Sequence, residues 1–221
     1  MGKGELTRQA ILDRAVQIAS RVGLGGLTIG SLAAEAGMSK SGLFAHFRSK
    51  EALQIHVLDH ARERFVERVL RPALAAPRGV PRLRKLFECW VGSSGDANGC
   101  LFVAAAVEFD DQEGPVHDRL VAHHRDWIES LAQMCRTGIA EGHFRDDVDP
   151  EQFAQDFYGL MLGYYHFHRL LRDPQARKRT ERAFEALLDR ARVPHLDVSS
   201  ARCAQPRDSV TASGAALLKP Q

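Results

Sequence analysis

The stretch Leu27 to Leu53 reads LTIGSLAAEAGMSKSGLFAHFRSKEAL and holds the residue types best spaced for chemistry. Thr28 stands where a hydroxyl caps a helix, ahead of Leu32, Ala33 and Ala36 on one inner face. Gly37 follows where the chain must turn sharply, a place that suits positive φ. Met38, Leu43 and Phe47 then supply the apolar face of a second short helix with a polar leading end, Ser39-Lys40-Ser41-Gly42. This is the pattern of a helix-turn-helix, with small Ala33 allowing a close helix crossing. Its chemistry is noncovalent. A second helix of this kind enters a DNA major groove with its N-terminal side chains towards base edges. The amide hydrogens at Thr28 and the ammonium of Lys50, at the start of the next helix, suit phosphates.

Other reactive types are less organised. His56 and His60 have i, i+4 metal-chelating spacing, but a pair of partly exposed imidazoles is the plainer reading. His123-His124 and His166/His168 point apart on a helix, so neither pair chelates alone. The acidic run Asp110, Asp111, Glu113, Asp118 reads as a solvated loop. Cys89, Cys100, Cys135 and Cys203 form no CxxC pair, which excludes a zinc ribbon and a disulfide mini-fold and leaves buried thiols in a reducing cytoplasm, or a redox pair. No Ser/His/Asp set, P-loop or dinucleotide fingerprint appears. No catalytic residue, metal or cofactor is expected, and the chain is not read as an enzyme.

The elements that position these residues are helices. Strand and hairpin signals are nearly absent, and apolar residues recur at helical spacing. Ile11, Ala15, Ile18 and Val22 share a face in a helix that Gly23, Gly25 and Gly26 stop. A longer helix runs from Ser49 to about Leu70 and is broken between Arg71 and Pro81. Further helices are expected near 81–93, 99–108, 116–141, 150–171 and 175–191, with Asp149-Pro150 as a cap and first turn. Within 150–171, Phe153, Phe157, Leu160, Tyr164, Phe167 and Leu171 follow a seven-residue repeat, the mark of a seam against one partner helix. That seam suits either the protomer's core or a dimer face. Aromatic residues between 81 and 171 suit either ordinary core or the walls of an apolar pocket.

Charge divides the chain in the same way. Residues 1–50 carry seven Lys/Arg against three acids, a net +4, whereas the whole 221-residue chain is only +2. A small basic head on a larger near-neutral body suits a polyanion. The 44% hydrophobic and 26% charged content is that of a globular protein. No apolar run approaches the roughly 18 residues that span a bilayer, and no apolar segment follows the first five residues as in a secretory signal. The expectation is a cytoplasmic protein without a membrane partner. Residues 193–221 read as a disordered tail.

The helix-turn-helix stretch resembles the TetR family of bacterial transcription regulators. The matching runs are Thr28-Ile29, Leu32-Ala33, Ala36-Gly37-Met38-Ser39, Leu43-Phe44-Ala45-His46-Phe47 and Ser49-Lys50-Glu51-Ala52-Leu53. The resemblance is close over the first quarter of the chain and extends further only in helix count and length. It implies an all-α fold with a three-helix DNA-binding head (1–50), a helical effector-binding and dimerisation domain (51–192) and the tail. It implies a homodimeric regulator, most often a repressor, that binds a palindromic operator in double-stranded DNA and is released by a small apolar or aromatic effector. Position by position, Thr28 and Lys50 would clamp phosphates, Ser39, Lys40, Ser41 and Gly42 would face the groove, and Phe44 and His46 would lie near the backbone. Two positions depart from the family. Phe44 stands where Tyr is usual, so a hydroxyl contact to phosphate is lost, and Gly42 stands where many members carry a small side chain. The implied pocket draws on Phe87, Trp90, Phe102, Trp127, Phe157, Met161, Tyr164, Tyr165 and His168. The family's pairing through its last two helices implies a dimer face of Phe153, Phe157, Leu160, Tyr164, Phe167, Leu171, Phe184, Leu187 and Leu188. Two rival readings are a sequence-tolerant DNA binder without effector and a helical small-molecule-binding protein or enzyme.

Overall fold

Ile11, Ala15 and Ile18 are all buried on the inner face of the first helix, α1 (Lys3–Val22), as their spacing requires. The computed structural model describes residues 3–94 and 100–193. Within them the chain is helical, with one isolated bridge between Phe144 and Arg192 and no further extended pairing. The tail lies outside the described residues from position 194, and Cys203 with it.

Local signals set the next three helices. Thr28 caps α2 (Ile29–Ala36): its side chain accepts from the Ser31 amide at 3.0 Å, and the Ser31 hydroxyl accepts from the Thr28 amide at 3.1 Å. Gly37 ends α2 in the left-handed region at φ 63°, a conformation that costs a side-chain-bearing residue about 1 kcal/mol or more. Ser39 caps α3 (Lys40–Phe47) and Ser49 caps α4 (Lys50–Phe65), each accepting an amide hydrogen bond in the first turn.

The break expected between Arg71 and Pro81 falls at Ala76, and the helix expected to end near Leu70 runs on to Ala75. From α4 the chain passes through a π-helical segment, Val66–Leu70, directly into α5 (Arg71–Ala75), and turns only at Ala76. Pro72 cannot donate a backbone hydrogen bond in this continuous helical run, and the wide π turn before it relieves the clash of its ring with the preceding turn. Then follow α6 (Val80–Ser94), α7 (Leu101–Phe109), α8 (Pro115–Ala140), α9 (Pro150–Tyr165), a second π-helical segment His166–Leu170, and α10 (Ala176–Ala191). Asp149 caps α9 by accepting from the amides of Glu151 and Gln152. Gly138 lets the α8–α9 connection fold back, because a Cβ there would lie 2.5 Å from the Phe144 ring.

Two apolar cores result. The first joins α1 to α4 with Leu101, Ala105 and Phe109 of α7 and Val116 and Leu120 of α8. The second joins α6, the far half of α8, α9 and α10, with Val69 and Ala73. Helix α4 therefore belongs to both: Leu53, Val57 and Leu58 lie in the first core, and Phe65 packs on the second. Helix α8 divides in the same way, with Leu131 and Cys135 in the second core.

Candidate nucleic-acid interface and apolar pocket

The leading end of α3 is exposed. Ser39, Lys40 and Ser41 are open to solvent, as are Thr28, His46 and Lys50, and Gly42 is half-buried. Phe44 is 55% exposed, so its ring is a surface feature and not part of the core, unlike Phe47 at 1%. Thr28 and Ser39 are already engaged as caps, which fixes the direction of each helix end. Lys40 Cε and Nζ lie beside Gly30 at the start of α2, so its ammonium stands near the α2 N-terminus. Lys50 Nζ donates to the Gly25 carbonyl at 2.5 Å in this conformation.

That last contact belongs to a clamp that the sequence did not reveal. The Glu108 carboxylate, on α7, accepts from the Leu24 amide at 2.8 Å and from the Gly25 amide at 2.7 Å. The buried Gln54 amide donates to the Leu24 carbonyl at 2.8 Å. The α1–α2 link is thus held on its N–H side by α7 and on its carbonyl side by α4. Bonds from amides to a charged carboxylate are the stronger class, worth about 1.5–3 kcal/mol each.

Beyond the first core lies an apolar pocket of about 90 Å³. Of the residues expected to line it, Trp90, Phe102, Trp127, Met161 and Tyr165 do. Four do not. Phe87 stacks on Phe184 at 4.2 Å and Phe157 packs on both, inside the second core. Tyr164 is buried against Trp90, and His168 stacks on its outer side at 5.0 Å, exposed. Phe157 and Tyr164, seven residues apart, share one face of α9, whereas Tyr158, Met161 and Tyr165 share the face on the pocket.

Sequence reasoning missed the other walls: Phe65 and Val66 at the end of α4, Cys100 and Val103, and Tyr158, His123 and His124. Adjacent places on a helix give His123 and His124 no shared metal and so no signal of a common site in the sequence. They diverge by only about 100°, so both can edge one pocket. His123 Nε2 lies 3.1 Å from the Asp59 carboxylate, and Tyr158 Oη lies 3.0 Å from His124 Nδ1. Burial pushes both imidazoles below the usual histidine range, opposed at His123 by Asp59 and at His124 by the Phe102 carbonyl. Burial pushes the Tyr158 phenol up to about 12. The charges near the opening, Arg62 and Asp126, pair at 2.9 Å. His56 and His60, the i, i+4 pair, face Arg8 and Asp13 instead of each other's ligand.

The expected dimer face is largely corrected. Phe153, Phe157, Tyr164, Phe184, Leu187 and Leu188 are buried inside the protomer, where α9 packs between α8 and α10. Leu160 is half-buried. Phe167 and Leu171 are 48% and 54% exposed, and Leu170 between them is exposed as well. A seven-residue repeat marks a packed seam, and here the partner helices are in the same chain.

Sequence models of two descriptions match the chain. "Bacterial regulatory proteins, tetR family" covers residues 11–57, and "Tetracyclin repressor-like, C-terminal domain" covers residues 79–184. The chain belongs to the TetR family. As a TetR-family protein it is a DNA-binding transcription regulator with an N-terminal helix-turn-helix head and a helical C-terminal domain. Its curated relatives include the HTH-type transcriptional repressor DhaR of Mycobacterium sp. (strain GP1), 26% identical over 150 residues, which are 66% of this chain and 74% of the relative. Another is the HTH-type transcriptional regulator SrpR of Pseudomonas putida, 24% identical over 79% of this chain and 80% of its own. A TetR regulator from Chloroflexus aurantiacus J-10-FL superposes with a TM-score of 0.77 at 26% identity, covering 88% of this chain and 100% of that one. AibR, solved in complex with isovaleryl coenzyme A and operator DNA, shares the fold with a TM-score of 0.64 at 23% identity over 84% of this chain and 98% of its own. No helix among the described residues is long and apolar enough to cross a membrane.

Proposed function

We propose that this TetR-family regulator is a cytoplasmic repressor that binds a palindromic operator as a homodimer and leaves it when a small apolar or aromatic effector fills the pocket. The observation that carries the reading is that two helices join pocket to head. Helix α4 brings Phe65 to the pocket and starts at Lys50, with Leu53 and Val57 in the head's core. Helix α7 brings Phe102 and Val103 to the pocket and ends with Glu108 on the α1–α2 link. An effector that wedges α4 and α7 apart favours a state in which the two heads no longer match successive major grooves. It acts only through its unequal affinity for the two states.

In this reading residues 1–50 form the DNA-binding unit and 51–192 the effector-binding and dimerisation unit, with α4 and α8 serving both cores. Ser39, Lys40 and Ser41 face bases, Gly42 gives close approach, and Thr28, Phe44, His46 and Lys50 track the backbone. Lys50 exchanges the Gly25 carbonyl for a phosphate on binding. The protomers pair through the exposed apolar side chains that follow α9, Phe167 and Leu171 included. The test is selection of bound sequences from a random duplex pool at fixed salt. An inverted repeat is expected, with Lys40→Ala and Lys50→Ala each weakening its binding about tenfold and flattening the salt dependence by about one phosphate contact. Salt-sensitive binding with no preferred sequence, or normal binding by both variants, contradicts the reading.

A further inference from the structure

Among the described residues, two buried side-chain nitrogens have no hydrogen-bond partner, His123 Nδ1 and His124 Nε2. They belong to adjacent residues, and both rings line the same pocket. His123 is 9% exposed, and His124 is half-buried. An unpaired buried polar atom costs about 1–3 kcal/mol, so native proteins keep few of them, and those they keep call for a reason. Among the other walls Phe65, Phe102, Trp127 and Met161 are apolar, Arg62 is matched by Asp126, the Ser130 hydroxyl donates to the Asp126 carbonyl, and Tyr165 has Arg169 beside it.

The neighbours of each ring decide which nitrogen carries the hydrogen. The Asp59 carboxylate beside His123 Nε2 favours the tautomer with hydrogen on Nε2. Nδ1 of a neutral His123 is then a bare lone pair, an acceptor. At His124 the Tyr158 hydroxyl meets Nδ1. A buried phenol that keeps its proton gives it to that nitrogen, which leaves the hydrogen of His124 on Nε2, a donor. The two rings that edge the pocket thus carry one acceptor and one donor without a hydrogen-bond partner, with the Phe102 carbonyl close enough to His124 to favour its N–H. A hydroxyl group answers both, since its hydrogen donates and its oxygen accepts. A carboxylate cannot donate, a hydrocarbon does neither, and an ammonium cannot accept.

We propose that the pocket selects a neutral ligand with an aromatic or apolar skeleton and a hydroxyl group, the O–H donating to His123 Nδ1 and the oxygen accepting from His124 Nε2. The inference rests on the reading of this cavity as the effector site and adds the ligand's chemical class. Imidazoles used this way are positioned by Asp59, outside the cavity, and by Tyr158 in its wall, each of which fixes one tautomer. The aromatic walls, Trp127 edge-on to Phe65 among them, supply the apolar burial, and the histidines supply the choice between ligands of equal size.

The chain has two tryptophans, Trp90 and Trp127, and both line the pocket, so intrinsic fluorescence of the intact protein reports its occupancy. The probes are three molecules of matched shape: 4-tert-butylphenol, tert-butylbenzene and 4-tert-butylbenzoate. The phenol is expected to bind about tenfold tighter than the hydrocarbon, and the benzoate to bind most weakly. His123→Leu and His124→Phe should each bring the phenol's Kd up to the hydrocarbon's while leaving the hydrocarbon's own Kd within about twofold. That unchanged Kd also shows that the variant pocket is folded. The wild-type comparison alone decides the matter if a variant does not fold. Equal binding of phenol and hydrocarbon, or a phenol preference that survives both substitutions, overturns this inference and leaves the effector pocket standing. Failure of all three probes to bind overturns the pocket reading, and this inference with it.

Discussion

The head and the pocket treat their polar groups in opposite ways. In the head, Thr28, Ser39 and Ser49 each satisfy an orphan amide at a helix start, and Glu108 satisfies two more in the α1–α2 link. The surface offered to a large polyanion is therefore set before the partner arrives. In the pocket, two imidazole nitrogens stay unpaired beside aromatic walls. A rigid, fully bonded reader suits a long partner held by many weak contacts. A wall with unspent hydrogen bonds suits a small partner that must be chosen by one or two. The helices α4 and α7 carry the one region into the other.

The largest effect that sharpens this contrast is on stability. Phe157→Ala empties space between Phe87, Phe153 and Phe184 in the second core, and is expected to cost about 3–5 kcal/mol in denaturant unfolding. Phe167→Ala, on the exposed side of the same helix end, should cost little in protomer stability and weaken self-association in sedimentation. Equal stability losses would put the seam back at a dimer face.

Next is the clamp. Glu108→Ala removes both acceptors for the Leu24 and Gly25 amides, with an expected loss of about 3 kcal/mol or more. Hydrogen exchange should quicken at those two link amides more than within α1. Unchanged exchange there would mean that α7 does not hold the head. The smallest effect is at the cap. Thr28→Ala should cost about 1 kcal/mol of stability and also weaken operator binding. A loss of stability with operator affinity intact would make Thr28 a cap alone.

The head was legible in the sequence because its signals are local. Caps, a turn glycine and two short apolar faces lie within 27 residues, and each predicts its own neighbour. The seam from Phe153 to Leu171 was read only halfway, since periodicity reports that a face is packed and not which chain covers it. The pocket was read in part. Trp90, Phe102, Trp127, Met161 and Tyr165 were found by type, but Phe87 and Phe157 are equally aromatic and face the other way. Phe65 was missed because it sits where α4 passes into the π-helical segment, outside the stretch searched for walls. His123 and His124 carry no signal in their spacing, and the partners that set their hydrogen bonding, Asp59 and Tyr158, are brought beside them only by the tertiary fold. Glu108 left no trace for the same reason, being more than eighty residues from the amides it holds.

The central claim is that pocket and head are linked, and linkage is reciprocal. The direct measurement is the tryptophan titration of 4-tert-butylphenol with and without saturating operator duplex, beside the operator titration with and without the phenol. The account predicts that the operator weakens the phenol's binding and that the phenol weakens the operator's by the same factor. A phenol affinity identical in the free and operator-bound protein would contradict it.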